Sequence, residues 1–113
     1  MSDFRAISQF TQREIDALFQ ASRLVFKKDG IAIRLAPRIG ESSRILIIAS
    51  KKAGNAVKRN KVRRRIKSIF YEEKLYELSP NDWIIFIYKN GISLSYQELK
   101  KIILSIVQKS YIQ

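Results

Sequence analysis

Between Ser50 and Lys67 the chain carries nine Lys or Arg side chains and no Asp or Glu: Lys51, Lys52, Lys58, Arg59, Lys61, Arg63, Arg64, Arg65 and Lys67. So dense a block of one charge repels itself unless solvent or a polyanion compensates it. The apolar residues within the run decide between those two. If a helix begins near Asn55, then Arg59, Asn60, Arg63, Arg64 and Lys67 share an arc of roughly 140°, and Val62, Ile66, Ile69 and Phe70 an adjoining arc of about 100°. A disordered tail has no reason to keep such a register. A merely solvated helix would carry acidic partners at i±4, and none occurs before Glu72 and Glu73. The spacing predicts a helix seated on a core by one side and offering cations to nucleic acid by the other.

A chain of 113 residues that is 46% hydrophobic suits one domain, 1–113, with a modest core of its own. Its formal charge of +12 points to a phosphate backbone or an anionic membrane surface. The longest apolar run, Ile45 to Ala49, suits a buried strand and is far too short to span a bilayer, and Met1 to Phe10 is polar and mixed in charge, unlike a signal peptide. A soluble, cytoplasmic protein without a membrane partner is expected. The absence of Cys and His excludes disulfides, thiolate nucleophiles, ordinary zinc sites, imidazole bases and serine triads. The ten acidic residues form no motif, and the four glycines, at 30, 40, 54 and 91, are too far apart for a phosphate-cradling loop. No catalytic residue, metal site or bound cofactor is therefore expected on the chain itself.

Taken in order, Thr11 to Glu14 reads as a capping box with Phe10 and Ile15 as its hydrophobic staple. Ile15, Leu18 and Phe19 give that helix one apolar face, read as core. Arg23 to Lys27 suits a short strand, Lys28-Asp29-Gly30 a turn, and the alternation of Ile31, Ile33 and Leu35 with Ala32, Arg34 and Ala36 a half-buried strand. Pro37 to Ser43 is a loop, and the continuous run Ile45 to Ala49 reads as a central strand covered on both faces. Asn55 is placed to cap the basic helix, which is predicted to reach Leu75 or Leu78 before Ser79-Pro80-Asn81-Asp82 stops it. Trp83 to Tyr88 is a further strand, so strand, helix and strand form a crossover unit with parallel pairing. Lys89-Asn90-Gly91 turns the chain, and Ser95 to Glu98 is a second capping box, with Leu94 and Leu99 as staple, opening a closing helix whose stripe is Leu99, Ile102, Ile103, Ile106 and Val107. The expected order is α-β-β-β-α-β-α, a single α+β domain with a four-stranded sheet packed by helices.

The segment from Arg44 to Arg64 closely resembles the signature of the bacterial ribonuclease P protein subunit. Residues 51 to 64 match its centre, Lys-Lys-x-Gly-Asn-Ala-Val-x-Arg-Asn-basic-aliphatic-basic-Arg. The resemblance implies a fold like the second domain of ribosomal protein S5, with the basic helix in a left-handed crossover. It also implies a function: binding the catalytic RNA of ribonuclease P one to one, contacting the 5′ leader of precursor tRNA, and assisting endonucleolytic removal of that leader. The chemistry and its Mg2+ ions would lie on the RNA, and no obligate protein partner is implied.

By the same resemblance, Lys51, Arg59, Asn60, Lys61, Arg63, Arg64 and Lys67 form the surface for the catalytic RNA, where planar guanidinium groups suit bidentate phosphate contacts. A cleft between the first helix and the sheet would take the leader, lined by Ile15, Phe19, Ile31, Ile33 and Lys52. The chain departs from the family pattern in carrying Ile15 for a second aromatic residue, Leu46 for a common Gly, Tyr71 for a basic residue after Phe70, and only Arg5 as a cation before Arg13. The competing reading from charge and size alone is a ribosomal or ribosome-assembly protein. A DNA-binding module is disfavoured because no helix and short turn precede the basic helix.

Overall fold

The computed structural model describes residues 8–28 and 30–112, with side chains to residue 109; Arg5 and Asp29 lie outside the described residues. The helices are α1 (Gln12–Ala21), α2 (Ala56–Glu72), the single turn α3 (Leu75–Leu78) and α4 (Tyr96–Ile112). The strands are β1 (Arg23–Lys28), β2 (Ile31–Pro37), β3 (Ile45–Ala49) and β4 (Asn81–Ile87), and 3₁₀ turns occupy Lys51–Ala53 and Lys89–Ser93. They form one sheet in the order β1-β2-β4-β3, in which β1 with β2 and β2 with β4 are antiparallel. The β3–β4 pair is parallel, with α2 in the connection, as the crossover pattern required.

Because side chains alternate along a strand, the register assigns each residue to one of two faces. Ile31, Ile33 and Leu35 stand opposite Ile87, Ile85 and Trp83, and these six enter one core with Ile45, the root of α2 and the stripe of α4. The other parity faces α1, where Leu18 packs on Ala36 and Ile84, with Phe10, Leu46, Ile48 and Phe86 partly buried around them. β2 is thus buried on both faces, more than its alternation predicted, because its small residues lie on the α1 side.

The expectation for β3 is corrected: among the described residues it is an edge strand, paired with β4 alone. An uninterrupted apolar run reveals that both faces meet apolar neighbours, and says nothing of whether both edges are paired. The interior positions belong to β2 and β4, the latter buried from Asp82 to Ile85.

The cap on α2 is as the sequence implied, with the Lys58 amide donating to Asn55 Oδ1 at 2.9 Å. Val62, Ile66, Ile69 and Phe70 are all fully buried, and Phe70 meets Trp83 edge-on at 5.1 Å between centroids. The helix stops at Glu72, short of the predicted Leu75 or Leu78, because Lys74 takes a left-handed conformation with φ of 56°. A non-glycine residue there costs about 1 kcal/mol, and burial of Leu75 just beyond the turn offsets it.

Both predicted capping boxes form: Thr11 with Glu14, and Ser95 with Glu98. Cooperation between α2 and α4 extends beyond apolar packing, since Arg65 donates to the Leu94 carbonyl at 3.0 Å, Tyr96 to the Glu72 carboxylate, and Lys100 pairs with Glu73 at 3.2 Å.

Ile66→Ala, which empties the centre of this root, is expected to lower unfolding free energy by about 2–5 kcal/mol in urea titrations. A loss below about 1 kcal/mol would show that α2 is not seated as described.

Candidate nucleic-acid interface

On α2, Asn60, Lys61 and Arg64 are exposed, while Arg59, Arg63 and Lys67 are half-buried, so five predicted RNA contacts share the arc and Lys61 stands about 60° beyond Arg64. The seventh, Lys51, is exposed in the 3₁₀ turn before it. Among the described residues the ion pairs are Arg44–Glu14 and Lys100–Glu73, and neither involves this arc. Its cations therefore stand unpaired with carboxylates among the described residues, as suits a polyanion-binding surface. Arg65, the one guanidinium of the run that turns toward α4, is engaged by the Leu94 carbonyl.

Arg59 differs from its neighbours. Ile66 and Phe70 lie seven and eleven residues on, within about 20° of it around the helix, so its stem follows the apolar root. Its Nε is buried with no hydrogen-bond partner among the described residues. A desolvated guanidinium donor is costly to leave unmade, and a phosphate oxygen offers the missing acceptor once the side chain swings outward.

A second basic group lies at one end of the sheet. Because β3 and β4 are parallel, their C-termini share that end, which brings together the turns Lys51–Ala53 and Lys89–Ser93. The β1–β2 hairpin lies there too, since Lys28 pairs with Ile31, Ile31 with Ile87, and the Tyr88 amide donates to the Gly30 carbonyl at 2.8 Å. Lys28, Lys51, Lys52 and Lys89, all exposed, form a cationic rim.

The α1 side of the sheet carries a row of aromatic rings leading toward this rim. Phe19, 36% exposed, meets Phe86 edge-on at 5.7 Å, and Phe86 stacks on Tyr88 at 6.5 Å with 9° between planes. Ile48 stands beside Phe86 in register. Under α1, a pocket of about 370 Å3 is lined by Ala17, Leu18, Ala21 and Ala36 together with the charged Arg13, Glu14, Arg44 and Asp82. Of the apolar face that spacing assigned to the core, Leu18 alone is buried, Ile15 is half-buried, and Phe19 is left outside.

Two of the residues predicted to line the leader cleft are corrected here. Ile31 and Ile33 are 1% and 0% exposed and belong to the core on the opposite side of the sheet, beneath α2 and α4. The α1 side of the sheet carries instead Phe86, Tyr88 and Ile48, positions that sequence reasoning did not single out. The signal was available in the strand itself: Phe86 and Tyr88 have the opposite parity to Trp83, so one aromatic-rich strand serves two faces.

At its other end α1 is pinned by Arg44, whose guanidinium lies 4.2 Å from the Phe10 ring centroid and bonds Glu14. That hydrogen bond, with the Thr11 amide, holds the Glu14 carboxyl down at about 2. Asp82 accepts from the Arg44 amide at 2.9 Å, while burial pushes its carboxyl above the ordinary value. Among the described residues no three acidic side chains gather as a metal site would need, and no helix is long and apolar enough to cross a membrane.

The family model described as Ribonuclease P matches residues 8–111. The ribonuclease P protein component of Bacillus mycoides is 31% identical over 97 residues, spanning 86% of this chain and 84% of its own length. That of Bacillus velezensis is 41% identical over 70 residues, 62% of this chain and 60% of its own. The ribonuclease P protein of Staphylococcus aureus superposes with a TM-score of 0.75 at 19% identity, covering 92% of this chain and 94% of that one. The Thermotoga maritima protein gives 0.74 at 17% identity, with 90% and 96% covered. At such identities the structural likeness speaks for the fold.

The Glu14–Arg44 contact gives a pH dependence with a defined sign. A carboxyl lowered from 4.5 to about 2 in the folded chain contributes stability above pH 4.5 that is lost as pH falls toward 2. In urea titrations Glu14→Gln is expected to be less stable than the parent near neutrality and to converge with it below about pH 2.5. A pH-independent difference would remove the ion pair from the account.

Proposed function

The chain belongs to the ribonuclease P protein family, and on that premise we propose that it serves as the protein subunit of a cytoplasmic ribonuclease P, bound one to one to the catalytic RNA. The outer arc of α2 and the Lys51 turn hold that RNA, and the α1 side of the sheet holds the 5′ leader of precursor tRNA. The observation that carries this reading is the division of α2 into a buried apolar root and a cationic arc that forms no ion pair among the described residues.

On the arc, Arg59, Arg63 and Arg64 offer planar forks to phosphate oxygens, Lys67 and, on the flank, Lys61 act as point charges, and Asn60 adds a neutral donor and acceptor. On the α1 side, Phe19, Phe86 and Tyr88 offer π-faces to unpaired bases without regard to sequence, each stack contributing about 1–3 kcal/mol. Lys52, with Lys28 and Lys89, attracts the backbone of the same strand as it passes the sheet end. Ile15, where the family pattern has an aromatic residue, gives apolar contact without a stacking face. Cleavage of the phosphodiester, with the Mg2+ it uses, belongs to the RNA in this reading, and the protein supplies grip and alignment.

The test is 5′ leader removal from a precursor tRNA by a bacterial ribonuclease P RNA at limiting Mg2+, with and without the protein. Stimulation that requires both components is expected; failure of the folded protein to stimulate would overturn the reading. Two variants separate the surfaces. Arg64→Ala is expected to weaken RNA binding and to reduce the slope of log affinity against log salt by about 1, with stability little changed. Phe19→Ala is expected to leave RNA affinity intact and weaken precursor tRNA relative to mature tRNA by about tenfold.

A further inference from the structure

At its far end the basic arc of α2 runs into aromatic side chains. Asn60, Arg64, Lys67 and Tyr71 follow at i, i+4, i+7 and i+11, so Tyr71 shares their arc and stands about 6 Å along the axis beyond Lys67. It is 42% exposed, and its ring stacks on Tyr76 with 5.9 Å between centroids and 13° between planes.

The stack is built by the backbone. Left-handed Lys74 turns the chain back on itself, its amide donating to the Tyr71 carbonyl at 3.1 Å. Leu75 then enters the core, and the Ser43 amide donates to the Tyr76 carbonyl at 2.8 Å, fixing Tyr76 from two sides. Two nearby acids are directed elsewhere: Glu72 accepts from Tyr96 and Glu73 pairs with Lys100, both toward α4. Glu77 is exposed on α3, its backbone carbonyl accepting from the Arg38 guanidinium.

We propose that the Tyr71–Tyr76 pair is a stacking platform for an unpaired base of the ribonuclease P RNA, in line with phosphates held by Arg64 and Lys67. The inference rests on α2 binding that RNA. A fixed ring pair at the end of a cation row is the combination that single-stranded nucleic acid uses, charge for the backbone and a π-face for the base. A protein partner would need acidic groups to meet the same row.

The experiment titrates a transcribed bacterial ribonuclease P RNA with the parent protein and with Tyr71→Ala, Tyr71→Leu and Tyr71→Phe at several salt concentrations. Stacking predicts that Ala and Leu weaken binding by about tenfold at every salt, leaving the salt slope unchanged, while Phe stays within about twofold of the parent. Should Ala disturb the fold, the comparison of Leu with Phe still decides. Parent-like affinity in the Leu variant, or a Phe variant as weak as Leu, overturns the platform. So does unchanged RNA affinity accompanied by a shift in self-association on sedimentation, which would assign the pair to protein contact. Parent protein that binds the RNA no better than an unrelated structured RNA overturns the proposed function and the platform together; normal parent binding with an unaffected Leu variant overturns the platform alone.

Discussion

Val62, Ile66, Ile69 and Phe70 hold against the sheet a helix whose remaining surface carries seven cations between Lys58 and Lys67. Such a helix would be poorly stable alone, because its like charges repel at i±3 and i±4 and its acids come only at the last turn. Tertiary packing supplies what local sequence withholds. Trp83 receives Phe70 edge-on and donates its indole N–H to Ser79 at 2.9 Å, while α4 closes over the other side of the root. The rest of the architecture follows from that seat. β3 and β4 must be parallel for α2 to cross between them, and their common end then gathers Lys51, Lys52 and Lys89 beside the hairpin carrying Lys28. Two cationic groups, one along a helix and one at a sheet end, are consequences of a single crossover.

The sheet separates two kinds of work. Toward α2 and α4 it presents large aliphatic side chains in a closed core, which stiffens the helix that carries the cations. Toward α1 it presents alanines, Leu46, Ile48, Ile84 and aromatic rings under a helix that covers them incompletely, so Tyr88, and Phe19 on the helix, keep part of their surface in water. Exposed aromatic rings reduce solubility and add nothing to the core; their retention in a row beside a basic rim fits a surface made for bases and phosphates. Arg44 sets the other limit of this side by pinning α1 through Glu14 and Phe10.

What the sequence made legible was local. Asn55, Thr11 with Glu14, and Ser95 with Glu98 cap their helices because the donors and acceptors involved lie three residues apart. The root and arc of α2 followed from the helical period alone. What was hidden depended on neighbours distant in sequence. Ile45 to Ala49 looked central because periodicity records faces and not edges, and the strand order that leaves β3 at the rim is a tertiary choice. Ile31 and Ile33 share a strand with residues that do face α1, and only their pairing with Ile87 and Ile85 shows which parity goes where. Lys74 carried no signal, because the sequence offers neither Gly nor Asn at the position where the chain turns left-handed. The meeting of Tyr71 with Tyr76 was invisible for the same reason.

The central claim, that one arc of one helix is the principal RNA surface, is tested most directly by acetylating lysines in the protein with and without a bacterial ribonuclease P RNA and reading each site by mass spectrometry. The account predicts strong protection of Lys67 on the arc and of Lys61 on its flank, while Lys101 and Lys109 on the exposed side of α4 stay as reactive as in the free protein. Protection of the α4 lysines with Lys61 and Lys67 unprotected, or equal protection at all four, would contradict it.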